Sequence, residues 1–172
     1  MSTTTTEKQD EGMDMGTKPV KEHEWLQKLV GNWRTEAEMD MGPGGTMTSS
    51  GTENVKDLGG LWAYAEGRGT MPGAGEFEYY SALGYDVSFK EYRGCKFMPG
   101  SSHLWNYTGT LSADGKTMTL DCVGPNMYKD GETANYRDVI ELIDDNHRTL
   151  TSSGEDENGQ MQQYMKAKYT RV

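Results

Sequence analysis

The 172-residue chain carries only two cysteines, Cys95 and Cys122, and no C-x-x-C pair. Such sparse cysteine excludes a disulfide-stapled secreted scaffold, and reduced, buried thiols are the expectation. No stretch approaches the ~18 consecutive apolar residues of a membrane-spanning helix. Cations are scarce, with 17 Lys and Arg against 27 Asp and Glu, so the formal net charge is -10 at pH 7. An acidic exterior repels phosphate backbones and anionic headgroups, which argues against nucleic acid and membrane surfaces as partners. Met1 to Lys18 has no positively charged start followed by an apolar run, so no secretory signal is read there and a cytoplasmic location is expected. Catalytic signatures are missing as well. Ser101 and Ser102 adjoin His103, but no G-x-S-x-G elbow exists, and Gly67-Arg68-Gly69 lacks the strand-turn-helix setting of a phosphate loop. No catalytic residue, metal site or cofactor is expected.

What the chain does contain is alternation. Met1 to Lys18 has little to bury and is expected to be a disordered tail, its Met13-Asp14-Met15 included. From Pro19 a single domain is expected to run to Val172. Trp25, Leu26, Leu29 and Val30 fall at helical spacing, with Pro19 suited to the first turn and Gly31 to the stop, which predicts one short N-terminal helix. Period-two segments follow over 32–41, 46–58, 61–71, 77–86, 91–98, 103–111, 116–123, 133–143, 147–152 and 160–171. Asp114-Gly115, Asp130-Gly131 and Asn158-Gly159 supply the positive φ of tight hairpins. A meander of about ten strands would leave two open edges unless it closed on itself. The fold class is therefore all-β, a closed up-and-down antiparallel barrel, wide enough to hold its own side chains or one small ligand.

Several residues could give such a barrel a chemistry. His103, Trp105 and Tyr107 share one strand face, where an imidazole among aromatic rings could bond a ligand's polar head or instead serve as a rim or core histidine. Trp62, Tyr64, Glu66 and Arg68 share another face, with Leu61, Ala63, Ala65 and Gly67 opposite, and the alternation leaves open which set points inward. If Glu66 and Arg68 are inside, they pair with each other or grip a carboxylate. Asp138, beside Tyr136 and Ile140, calls for Arg or Tyr partners if it is interior. Met39, Met41, Met47, Met118, Met161 and Met165 occupy candidate interior positions, where flexible thioethers suit either gap-filling or a cavity for flexible ligands.

The layout of a helix, Gly31-Asn32-Trp33 opening the first strand, and an Arg-bearing last strand at Arg171 resembles the calycin group of lipocalin and fatty-acid-binding barrels. That resemblance implies that Trp33 and Arg171, or Lys168 in its place, pack together to close one end. The chain also resembles the bacterial domain-of-unknown-function 1579 family over nearly all of Glu22 to Val172. The motifs that carry this are His23-Glu24-Trp25-Leu26, Leu29-Val30-Gly31-Asn32-Trp33, Leu58-Gly59-Gly60-Leu61-Trp62, Leu83-Gly84-Tyr85-Asp86, Ala113-Asp114-Gly115-Lys116-Thr117 and Tyr136-Arg137-Asp138-Val139-Ile140-Glu141-Leu142. The implied fold is a lipocalin-like barrel without an established activity. It is more distantly similar in shape to nitrobindin-type haem barrels, but residues 160–172 lack the late His of that pattern, and the nearest, His147, falls in a turn.

Three functional readings follow. The first is a barrel that binds a small apolar or amphipathic molecule, lined by Trp62, Tyr64, His103, Trp105, Tyr107, Tyr136 and Met165 around a cavity of a few hundred cubic ångströms. The second is an enzyme acting on a hydrophobic small molecule, with Asp138, Glu66 or His103 as its ionisable group. The third is an interaction protein with a filled core, such as a homodimer.

Overall fold

The computed structural model describes residues 16–172. Of the expected tail, residues 1–15, including Met13-Asp14-Met15, lie outside the described residues. The alternating segments form β1 (Gly31–Asp40), β2 (Thr46–Leu58), β3 (Trp62–Met71), β4 (Gly75–Asp86), β5 (Glu91–Phe97), β6 (Trp105–Leu111), β7 (Thr117–Pro125), β8 (Thr133–Asp144), β9 (His147–Glu155) and β10 (Met161–Arg171). Each strand pairs antiparallel with its sequence neighbours, and β1 also pairs with β10. The barrel is closed, so no strand leaves its backbone groups unpaired along an edge.

β7 and β9 extend beyond the segments that alternation marks. Gly124 and Gly154 break the side-chain pattern, yet they pair with Ala134 and Tyr136, and the rings of Trp105 and Tyr136 pack over them. The hairpin glycines behave as their sequence context requires, with φ of 68° at Gly115 and 77° at Gly159.

The N-terminal helix is shorter than the apolar spacing suggests: a 3₁₀ turn at Lys21–His23 runs into α1 (Glu24–Gln27). So short a helix persists only through tertiary contacts. Trp25 and Leu26 are buried, Trp25 Nε1 donates to the Gly115 carbonyl at 3.1 Å, and Tyr92 Oη donates to the Glu22 carbonyl at 2.7 Å. The helix thereby caps the barrel end where β1 begins.

The same end is sealed by Trp33, which is buried and whose Nε1 donates to the Leu29 carbonyl at 2.8 Å. The Arg171 guanidinium lies 4.2 Å from the Trp33 ring centroid and donates to the carbonyls of Val30 at 2.6 Å and Lys28 at 2.9 Å. Gly31 makes room for this arrangement, because a Cβ there would collide with Arg171 Nη1. Lys168, opposite Glu36, is exposed on the outer face and takes no part. Both cysteines are free thiols; Cys122 is buried. Among the described residues no helix is long and apolar enough to cross a membrane.

Candidate ligand-binding recess at the barrel mouth

Antiparallel register sets the inward residues of β2, β1 and β10 opposite one another in rungs. From the open end these are Met47, Met39 and Met165; then Ser49, Ala37 and Ala167; then Gly51, Thr35 and Tyr169; then Glu53, Trp33 and Arg171. The second rung is made of small side chains, and on β3 the inward positions below Met71 are Gly69 and Gly67. Aromatic rings from β4 lie flat over these glycines: a Cβ on Gly67 would strike the Tyr79 ring, and one on Gly69 would come within 2.8 Å of the Phe77 ring. Small residues on one wall and flattened rings on the other leave a recess of about 950 Å³ open at the mouth. That lies near the upper end of the ~300–1,000 Å³ of small-molecule sites. Met39, Met71, Met98 and Met165 stand around it.

The floor of the recess is polar. Tyr79, Lys96, Leu150 and Tyr169 line both the recess and a smaller cavity of about 80 Å³ beneath it. Arg148 and Glu53, 4% and 6% exposed, form an ion pair there. Burying two charges is costly unless further groups satisfy them. Tyr79 Oη donates to Glu53 Oε2 at 2.6 Å, and the Arg148 guanidinium stacks 3.9 Å from the Tyr169 ring centroid and 4.6 Å from that of Trp33. A second buried carboxylate, Asp138, accepts from Tyr107 Oη at 2.9 Å and from Ser152 Oγ at 2.5 Å. Lys96 Nζ rests 4.9 Å from the Tyr79 ring centroid.

Burial disfavours the charged form of the phenols inside the barrel, in this network and beyond it. It pushes Tyr92 and Tyr164 up to about 12, and desolvation together with neighbouring acidic groups drives Tyr79, Tyr107 and Tyr169 higher still. A group whose folded pKa is raised contributes stability that is complete below its unfolded pKa, ~10 for tyrosine, and lost as pH rises through the folded value. Urea-unfolding stability should therefore show no tyrosine-linked loss up to about pH 10 and fall steeply between about pH 10 and 12. A curve flat across that window would show that the phenols are not held neutral by the fold. The Cys122 thiol, also pushed up to about 12 by burial, is a poor nucleophile at neutral pH.

The residues expected to line a ligand cavity divide into three groups. Tyr107 lines the small cavity and Met165 the recess. His103, Trp105 and Tyr136 face inward on the other half of the mouth but pack edge to face on one another, with ring centroids 4.7 Å apart for His103 and Trp105 and 4.9 Å for Trp105 and Tyr136. With Cys122, Ala134 and Tyr164 they fill that half instead of enclosing space. Trp62 and Tyr64 point outward, because Ala63 and Ala65 of the same strand are buried inside; Trp62 is 43% exposed. Glu66 follows them outward and pairs with Lys56 at 3.0 Å, and Arg68 is exposed on that face. Among the methionines, Met41 and Met161 are exposed, whereas Met118 is fully buried near the capped end.

The ion-pair network occupies the middle of the barrel, so the larger space lies at the mouth and a cavity of about 80 Å³ lies beneath it. Glu53, Tyr79, Lys96, Arg148 and Tyr169 were not singled out by the sequence reading. The parity was available, since Val55 fixes Glu53 as inward on β2 and Leu150 fixes Arg148 as inward on β9. Of the residues proposed for catalysis, Glu66 lies outside and Asp138 has both oxygens hydrogen-bonded. His103 contacts Trp105, with its Nε2 unpartnered among the described residues.

None of the curated proteins matches the chain. Among solved structures, the Rv2717c protein of M. tuberculosis is similar over 90% of this chain and 99% of its own, at 13% identity and a TM-score of 0.65. The S-type phycobiliprotein lyase CPES of Guillardia theta is similar over 89% of this chain and 93% of its own, at 11% identity and a TM-score of 0.60. At such identities the likeness is one of fold, a closed antiparallel barrel. A family model matches residues 18–171, and the chain belongs to the family described as protein of unknown function, DUF1579.

Proposed function

We propose that this barrel binds a small apolar or amphipathic molecule in the recess at its mouth. The observation that supports this best is the recess itself: about 950 Å³ above a polar floor, its wall built of methionine, alanine, glycine and phenylalanine together with serine and threonine side chains, Arg68, Glu76 and Glu78. Apolar walls supply affinity, a few fixed polar groups supply orientation, and thioethers adapt to ligands of varied shape. One barrel of this architecture is named a phycobiliprotein lyase.

The neutral fluorophore N-phenyl-1-naphthylamine tests the reading directly. Saturable enhancement of its emission with one site per chain and a micromolar Kd is the expected result. Emission that rises only linearly with added probe would overturn it.

A further inference from the structure

Lys96 differs from the other interior charges. Its strand register, opposite Ser81 on β4 and Trp105 on β6, sets it on the inward face of β5. It lines the recess and the cavity below, placing its ammonium near the boundary between them. Arg148 is neutralised by Glu53, and Asp138 is satisfied by two hydroxyl donors. The Lys96 side chain makes no ion pair and no hydrogen bond among the described residues; its ammonium rests against the Tyr79 ring and lies within electrostatic reach of Cys122. The Tyr79 hydroxyl is itself committed to Glu53. A lysine ammonium carries three donors and no acceptor, and removing it from water is unfavourable unless an acceptor replaces the lost hydration.

Resting on the recess as the binding site, we propose that Lys96 recognises the carboxylate of an amphipathic acid whose apolar chain runs outward between Ala37 and Phe77 to the methionine rim. The ammonium would donate charge-assisted hydrogen bonds to the carboxylate head group in a partly desolvated setting, where such bonds are stronger than in bulk water. The unpaired ammonium then gains a counter-ion, and the ligand has one orientation, head inward. A neutral chain of equal length would fill the same walls without this contact.

Decanoate and decanol, competing separately against N-phenyl-1-naphthylamine on the full-length protein, separate the two ideas. Wild type should bind decanoate about 10- to 100-fold more tightly than decanol, the range expected for a hydrogen bond to a charged group. Lys96→Met should erase that preference by weakening decanoate, and Lys96→Arg should keep most of it. Far-UV circular dichroism and the thermal midpoint report that each variant is folded. Equal affinities for the two competitors in wild type, or a preference that survives in Lys96→Met, would overturn the assignment to Lys96 and leave the recess reading intact. Failure of the probe and both competitors to bind wild type would overturn both.

Discussion

Arg148→Met is expected to destabilise the barrel by about 3–5 kcal/mol, the usual cost of leaving one member of a buried ion pair uncompensated. The stranded group would be Glu53, enclosed by Trp33, Tyr79 and Tyr169, where water cannot easily replace the guanidinium. Glu53→Leu should cost a similar amount by stranding Arg148. The double variant Glu53→Leu/Arg148→Met should recover most of the loss, because an apolar pair of similar volume carries no desolvation penalty. Tyr79 would then hold one unsatisfied hydroxyl, so full recovery is not expected. Urea unfolding of all four proteins measures the coupling. Single variants within about 1 kcal/mol of wild type would mean that the pair is solvated.

Filling the second rung should abolish ligand binding with little effect on the rest of the barrel. Ala37 and Ser49 are directly opposite, both half-buried and both lining the recess. Ala37→Phe/Ser49→Phe would place two rings in the space between the methionine rim and Tyr169. Probe affinity should fall by about 100-fold or more, since the apolar contact area that drives binding is removed from the ligand. Because the new rings enter open space and not packed core, the overpacking penalty of ~1–3 kcal/mol should be largely avoided, and the thermal midpoint should stay near that of wild type. Retained probe binding in a folded double variant would place the ligand elsewhere.

The fold was legible in the chain because its pattern is local. Alternation such as Trp33, Thr35, Ala37 and Met39 against Arg34, Glu36 and Glu38 specifies a strand with one inner face, and Asp-Gly and Asn-Gly specify where it turns. Closure followed from the strand count and the need to hide edges. The site was less legible for two physical reasons. First, aromatic size does not encode direction: Trp62 and Tyr64 are larger than Ala63 and Ala65, yet the small residues are inside, in the core cluster with Trp25, Leu26 and Leu83. Second, an interior charge is recognisable only through its partner, and the partner of Glu53 lies 95 positions away at Arg148. Trp105 and Tyr136 face inward, but whether inward rings enclose space or fill it depends on packing that alternation does not carry.

The central claim, that a small amphipathic molecule occupies the open half of the mouth, is tested most directly by NMR of protein labelled at its methionine methyl groups during titration with decanoate. The account predicts saturable shifts at Met39, Met71, Met98 and Met165, with Met118 in the sealed base and Met127 on the outer surface unmoved. Shifts confined to Met127 and other exposed methyls, or no shift at any of the four rim residues, would contradict it.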